Sequence, residues 1–233
     1  MKRIDVRAWL RRISREWVMP IVIVVVVCGA FRSAIADWND VPTGSMQPTI
    51  LEGDRILVNK LAYGLRVPFT SWRLAEWAEP QRGDIVICFS PANGDRLVKR
   101  VIAVPGDTVA MTNNQVTING EPLGYAVASD ELLESIPAEL RPQHVFATEQ
   151  LDAHPHTVMI TPQQPARRSF APIVVPPDRY FVMGDNRDQS ADSRYFGFVA
   201  GREIVGRSSR VAFSLDRNHG YIPRWGRFFE PLD

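Results

Sequence analysis

Asp84-Ile85-Val86-Ile87-Cys88-Phe89, a turn at Asn93-Gly94, then Leu97-Val98-Lys99-Arg100-Val101-Ile102-Ala103-Val104 closed by Pro105-Gly106-Asp107: this stretch decides the fold. Both apolar runs are short, rich in β-branched residues and bounded by Gly, Pro, Asn and Asp, the signature of strands separated by turns. The same grammar extends outward. Arg55-Ile56-Leu57-Val58 follows Gly53-Asp54, and Gln115-Val116-Thr117-Ile118 alternates into Asn119-Gly120, the strongest short hairpin signal. Arg179 to Met183, Ile204 to Arg207 and Val211 to Phe213 continue it. From Asp40 onward the chain therefore reads as mainly β, an antiparallel β-sheet domain built from short strands.

Residues 121–172 break the pattern. They hold His144, His154 and His156, prolines at 137, 142, 155, 162 and 165, and little periodicity beyond a short helix near Asp130–Leu140. They are expected to form an inserted smaller subdomain, the part of the chain least expected to carry chemistry, dividing the β-domain into 39–120 and 173–233.

Upstream the composition changes. Residues 1–16 carry six basic side chains against Asp5 and Glu16, a local excess of +4. Val18 to Phe31 is uncharged and almost wholly apolar. Trp17 and Trp38 bracket this run, and the 21 helical steps between them cover roughly 31 Å, near the hydrocarbon thickness of a bilayer. Aromatic ends and a basic tail fit an interfacial belt and the positive-inside rule. The expectation is a basic cytoplasmic tail, 1–16, and one transmembrane helix, 17–38, with Arg32 snorkelling to the outer surface. A cleaved secretory signal ending at Ala34-Ile35-Ala36 competes with it, and so does a buried core helix. Either of the first two places the rest of the chain on the extracytoplasmic side.

Whole-chain numbers exclude several classes. A length of 233 residues allows a core that stands without disulfides, and 45% hydrophobic residues is too many for a disordered chain. A net charge of +1 gives no reason to expect nucleic acid as a partner. Two cysteines, Cys28 and Cys88, exclude a disulfide framework and a four-cysteine zinc site. No metal or cofactor is expected.

Three segments carry candidate chemistry. In Val41-Pro42-Thr43-Gly44-Ser45-Met46-Gln47-Pro48-Thr49-Ile50, Gly44 allows a tight turn that exposes a hydroxyl, and Pro48 keeps the segment out of a helix. A serine nucleophile needs a base. The histidines lie in the irregular insertion or, for His219, in the C-terminal tail, so a Ser-His-Asp triad is hard to assemble. Lysine is the alternative if burial strips its proton. Beyond the N-terminal segment only Lys60 and Lys99 remain, and Lys99 sits within an apolar strand. Alternation puts Lys99 and Val101 on one face and Val98, Arg100 and Ile102 on the other. A surface lysine on an edge strand is the competing reading. The third segment, Met183-Gly184-Asp185-Asn186-Arg187-Asp188-Gln189-Ser190-Ala191-Asp192-Ser193-Arg194, fails the EF-hand pattern, because counting from Asp185 puts Ser190 at the sixth position and Phe196 at the twelfth. It reads as a self-satisfying polar network in which Asp192 pairs with Arg194, able to hold Ser190 against a neighbouring amine. Arg82-Gly83-Asp84 reads as a turn leading into a strand rather than an adhesion signal.

In order, these segments resemble the type I signal peptidase family, the bacterial leader peptidases. The likeness covers about residues 17–120 and 173–213, through the boxes Thr43–Thr49, Gly53–Lys60, Arg82–Val86 with Val98–Asp107, and Gly184–Arg194. It implies a Ser-Lys dyad with Ser45 as nucleophile and Lys99 as general base, Ser190 holding the lysine amine. The oxyanion would be bound by the Ser45 N–H and the Thr43 hydroxyl, where many relatives have serine. Asp192 and Arg194 match a structural ion pair. Shallow pockets for small residues would be lined by Val41, Pro42, Met46, Ile50, Leu97 and Val98. Many Gram-negative relatives carry two N-terminal spans; one is visible here. The implied activity is removal of signal peptides from exported preproteins at the inner (plasma) membrane, with membrane lipid and the secretion translocon as neighbours. Phe69, Trp72 and Trp77 lie in an aromatic stretch suited either to the lipid interface or to a core. A self-cleaving Ser-Lys repressor, a specialised processing peptidase and an inactive peptide-binding β-domain are the rival readings.

Overall fold

A computed structural model describes residues 14–232 apart from Ser71 and Asn218; positions 1–13 of the expected basic tail lie outside the described residues. A wide helical turn at Ser14–Val18 leads into a helix at Met19–Ala34. Arg15–Ala34 is long and apolar enough to cross a membrane. Every side chain from Val22 to Val27 is more than half exposed, so none of them is buried by packing among the described residues.

The helix ends earlier than the tryptophan spacing suggests. Trp38 belongs to a strand, Ala36–Asp40, whose residues pair antiparallel with Asn59 back to Arg55. The junction is fastened by Lys60. Its ammonium donates to the carbonyls of Arg32 at 2.8 Å and Ser33 at 3.2 Å, and its N–H to that of Ile35 at 2.9 Å. These are the orphan carbonyls of a helix C-terminus, where a cation also meets the negative end of the helix dipole.

The main sheet is antiparallel. Its order is Ala36–Asp40, Asp54–Asn59, Ile204–Asp216, Ile85–Phe89, Arg96–Ala103, Arg179–Met183 and Val199–Ala200, with Ile222–Pro223 added on the long strand. Arg96–Ala103 is thus interior to the sheet, and Lys99 is 2% exposed, so it is no surface lysine on an edge. The predicted alternation holds. Val98 packs with Val41, Met46, Ile50 and Ile87, whereas Val101 packs with Tyr63, Val86 and Cys88.

A second sheet joins Phe170–Val174, Thr108–Thr112, Gln115–Ile118 and Glu121–Pro122. Its Asn119-Gly120 turn has φ of 54° and 86°, the paired positive values of the hairpin that this dipeptide favours. Within 121–172 the expected helix is present as Asp130–Ser135, capped by the Ser129 hydroxyl, with a further turn at Ala138–Leu140. The remainder includes a three-stranded sheet of Gly124–Val127, Val145–Leu151 and His154–Ile160. Its period is masked because a buried inward position holds a charge, Glu149. Both cysteines are free thiols, Cys28 exposed on the helix and Cys88 buried in its strand.

Gly53 sets the turn that starts the second strand. Its φ is +89°, and a Cβ there would stand 2.0 Å from the Leu215 carbonyl oxygen. Gly53→Ala is expected to lower stability by more than about 1 kcal/mol, read as a reduced urea midpoint at unchanged slope. An unchanged midpoint would show that the turn can relax.

Candidate active site

Ser45 stands in a single helical turn, Gly44–Met46, between the first two strands of the main sheet. The Gln47 N–H donates to the Gly44 carbonyl and the Ile50 N–H to the Met46 carbonyl; neither bond uses the Ser45 N–H. The segment is pinned at both ends. The Val41 N–H donates to the Asp54 carbonyl and the Gly53 N–H to the Val41 carbonyl, and the Thr49 hydroxyl donates to Asp185 at 2.6 Å.

Lys99 reaches this turn from the neighbouring strand. Its Nζ lies 2.7 Å from Ser45 Oγ and donates to the Val98 carbonyl at 3.0 Å. Burial drives the Lys99 pKa below its ordinary value, because an ammonium loses its hydration there; Asp192 and Asp185 oppose this at a distance and do not reverse it. Cys88 adds no formal charge, since burial pushes its thiol up to about 12. The arrangement is a hydroxyl in hydrogen-bond contact with an amine that gives up its proton more readily than a lysine in water. That pair can deprotonate the hydroxyl as it attacks.

The Gly184–Arg194 loop is the clamp around this pair. Asn186 holds the serine turn twice, its amide side chain donating to the Gly44 carbonyl at 3.0 Å and its N–H to the Ser45 carbonyl at 3.2 Å. Asp185 receives both the Nε and an Nη of Arg100, at 3.0 and 2.9 Å, and both side chains are 1% exposed. Burial alone would raise the Asp185 carboxyl; Arg100 and the Thr49 hydroxyl overcome it and hold the group below the usual range. Asp192 pairs with Arg194 at 2.7 and 2.8 Å, fully buried, and also accepts the Gly184 N–H at 3.0 Å. A Cβ on Gly184 would meet the Ser45 carbonyl at 2.3 Å and Ser190 Oγ at 2.4 Å, so only glycine lets these segments close.

The loop is not self-satisfying. Arg187 pairs with Glu149 at 2.6 Å, Asp188 with Arg168 at 2.8 Å, and the Asp185 and Met159 backbones bond at 2.8 Å. Those partners lie in residues 121–172, so the segment least expected to carry chemistry braces the site. Asp185, Asn186 and Arg100 were the residues missed by sequence reasoning. Alternation on the Lys99 strand already pointed Arg100 inward, and a buried arginine demands a carboxylate.

The remaining sequence candidates divide. Thr43 is exposed in extended backbone at the start of the turn. Ser190 is buried beside Gly184, yet among the described residues its Oγ has no hydrogen-bond partner, Lys99 included. Val41, Met46, Ile50 and Val98 share one apolar cluster. Met46 and Ile50 are 1% and 0% exposed and form the floor beneath the turn. Leu97 packs on the opposite face of its strand, and Pro42 is exposed. Leu97, Val98 and Lys99 pair with Cys88, Ile87 and Val86 on one side, while Met183 begins its pairing on the other side only at Arg100. The backbone beside Lys99 is therefore an open strand edge.

The description "Signal peptidase, peptidase S26" matches residues 14–213 of this chain. Over 221 residues the chain is 34% identical to a signal peptidase I of Pseudomonas fluorescens, covering 89% of this chain and 75% of that protein. Signal peptidase I P of Bacillus subtilis subsp. natto is 32% identical over 203 residues, 87% of this chain and 90% of its own length. A crystal structure of a signal peptidase I from Enterococcus faecalis matches 56% of this chain and 97% of its own at 32% identity, with a TM-score of 0.34.

Removing Arg100 leaves Asp185 buried without its partner. Arg100→Met is expected to cost about 3–5 kcal/mol of stability, measured by urea unfolding, because an uncompensated buried charge remains. A loss below about 1 kcal/mol would mean that Asp185 takes up a proton at little cost.

Proposed function

The chain belongs to the signal peptidase family, peptidase S26, and is a serine endopeptidase; from that premise we propose that it removes signal peptides through Ser45 and Lys99. The 2.7 Å contact between a buried amine and the hydroxyl of a half-buried turn carries this reading. In the reactive state Lys99 is neutral, and the Ser45 O–H donates to its lone pair. As Oγ attacks the scissile carbonyl, the proton passes to Nζ and is then delivered to the leaving amine. Water hydrolyses the acyl-enzyme with Lys99 again as base.

The Ser45 N–H and the Thr43 hydroxyl are the oxyanion donors in this scheme, and removing one such donor costs about 3–4 kcal/mol of transition-state stabilisation. Asn186 holds the carbonyls of Gly44 and Ser45, which supports a turn fixed before substrate arrives. Ser190 takes up the Lys99 amine when the amine turns from the Val98 carbonyl. The Asp192–Arg194 pair positions Gly184 beneath both.

The open edge at Leu97–Lys99 suits an extended peptide that adds as a strand, main-chain bonds supplying affinity and alternate side chains entering pockets. Val41, Val98 and Pro42 would line those pockets over a floor of Met46 and Ile50, with Leu97 turned to the other face, and shallow apolar pockets of this kind take small residues. The exposed apolar helix serves as a membrane anchor, with the basic N-terminus cytoplasmic and the β-domain outside, where exported preproteins emerge beside the translocon.

Ser45→Ala and Lys99→Met are each expected to lower the rate of preprotein cleavage by about a thousandfold or more with the fold intact by near-ultraviolet circular dichroism. Near-normal cleavage by either variant would sink the dyad. The folded Lys99 pKa lies below its ordinary value, so activity is present above the folded pKa and lost as pH falls through it. A kcat profile that stays flat down to about pH 5 would exclude a lysine base. Because Lys99 carries a desolvation cost that grows as pH drops below about 10.4, Lys99→Met should melt no lower than wild type at neutral pH.

A further inference from the structure

We propose that a cavity between the foot of the apolar helix and the β-domain binds the phosphate of an anionic phospholipid headgroup. This rests on the reading of the helix as a membrane anchor. The cavity holds about 340 Å³, within the roughly 300–1,000 Å³ of small-molecule sites, and Lys60, Arg66 and Arg96 line it with Ser33, Thr70 and Phe69. Three cations converge on it; Glu203 and Glu76 act on Arg66 without lining the cavity, and the carboxylate that pairs with the other two is Asp37. That one group already receives Arg32 at 2.7 Å, with Lys60 at 3.4 Å and Arg96 at 3.9 Å. Arg66 spends its hydrogen bonds on the carbonyls of Ile204 and Arg202, which carry no formal charge. The lining therefore holds more positive than negative charge. Burial depresses the pKa of Lys60, Arg66 and Arg96 alike, which agrees with cations short of an anion.

Its position selects the kind of anion. Ser33 lies on the last turn of the helix, and its hydroxyl accepts the Phe69 N–H at 2.7 Å. The Phe69 ring lies 3.3 Å from the site of a Cβ on Gly29, which is five residues before the helix end and so about 7.5 Å along the axis. Phe69 and Trp72 are 68% and 78% exposed beside it. An aromatic loop reaching that far down a lipid-facing helix sets the cavity at headgroup depth, where guanidinium groups bind phosphate oxygens in bidentate fashion. The apolar ring beside the cations gives the glycerol and upper acyl chain a dry wall.

The test uses the full chain in nonionic detergent with equimolar phosphatidylglycerol and phosphatidylcholine, and counts retained lipid by native mass spectrometry. Wild type should retain phosphatidylglycerol preferentially. Arg96→Gln should weaken that retention about fivefold, the equivalent of about 1 kcal/mol per interfacial cation, while Arg210→Gln, distant from the cavity, should not. Equal retention of both lipids, or a preference untouched by Arg96→Gln, would overturn the proposal. If that variant does not fold, wild type in a salt series decides: a preference insensitive to salt would overturn it. Displacement of the lipid by an equal concentration of inorganic phosphate would overturn the headgroup as ligand and assign the cavity to free phosphate. Flotation with phosphatidylcholine vesicles separates the two readings. A chain that floats without headgroup preference loses only the cavity, whereas one that fails to float loses the anchor as well.

Discussion

The pairing of Arg100 with Asp185 is the contact on which the site depends. Neighbours on a strand point to opposite faces, so Lys99 can reach the serine turn only if Arg100 enters the other face of the same sheet. There a guanidinium is tolerable only against a carboxylate, and Asp185 supplies one with two parallel hydrogen bonds. Asp185 also binds Thr49, and the next residue, Asn186, binds the carbonyls of Gly44 and Ser45. One ion pair thus ties the strand of the amine to the turn of the hydroxyl, across 85 residues of sequence. The 2.7 Å approach of Lys99 to Ser45 follows from that triangulation rather than from any local preference of either segment.

The charged loop is stable in the interior because each of its buried ions has a partner: Asp185 with Arg100, Arg187 with Glu149, Asp188 with Arg168, and Asp192 with Arg194. Lys99 is the contrasting case. Among the described residues it has no ion pair of its own; its bonds go to a hydroxyl and a carbonyl, and the nearest carboxylates are committed to arginines. With its neighbours paired to one another, no direct counter-ion offsets the burial that lowers the pKa of this amine. A salt bridge to Lys99 would stabilise its proton and remove the proposed base.

Much of this was legible in the sequence, for identifiable reasons. Strands with β-branched runs between Gly, Asn and Pro turns were readable, and so was the Asn119-Gly120 hairpin, because their signals are local. Ser45, Lys99 and the Asp192–Arg194 pair stood out because each lies within a compact box. The hairpin of Val145–Leu151 and His154–Ile160 did not. Its inward positions include Glu149 and His156, so apolar alternation fails, and it turns at Asp152 with φ of 50°, without a glycine to mark it. Nor did the sequence reveal that Glu149 answers Arg187, since a partner 38 residues away leaves no local trace. Trp38 misled for a physical reason. Its aromatic ring suits a membrane belt, but the strand register from Asn59 claims its backbone.

That register also sets where the chemistry occurs relative to the helix. A flexible link after Ala34 would let the β-domain wander. Instead the first strand begins at Ala36, is hydrogen-bonded along its whole length to Asp54–Asn59, and ends three residues before the Thr43 that opens the serine turn. Lys60, the residue after that second strand, caps the helix carbonyls and so locks helix to sheet at the strand end nearest the apolar segment. Arg32 reinforces the corner, bonded to Asp37 at 2.7 Å with its guanidinium 4.6 Å from the Trp38 ring centre. With the helix held in a bilayer, this short rigid path fixes the height of Ser45 above the lipid. A signal peptide presents its cleavage site at a depth set by its own apolar length, so a peptidase that selects by position needs its nucleophile at a constant height. In the proposed reaction, then, both lysines of the β-domain take part: Lys60 fixes the height of Ser45 and Lys99 moves the proton.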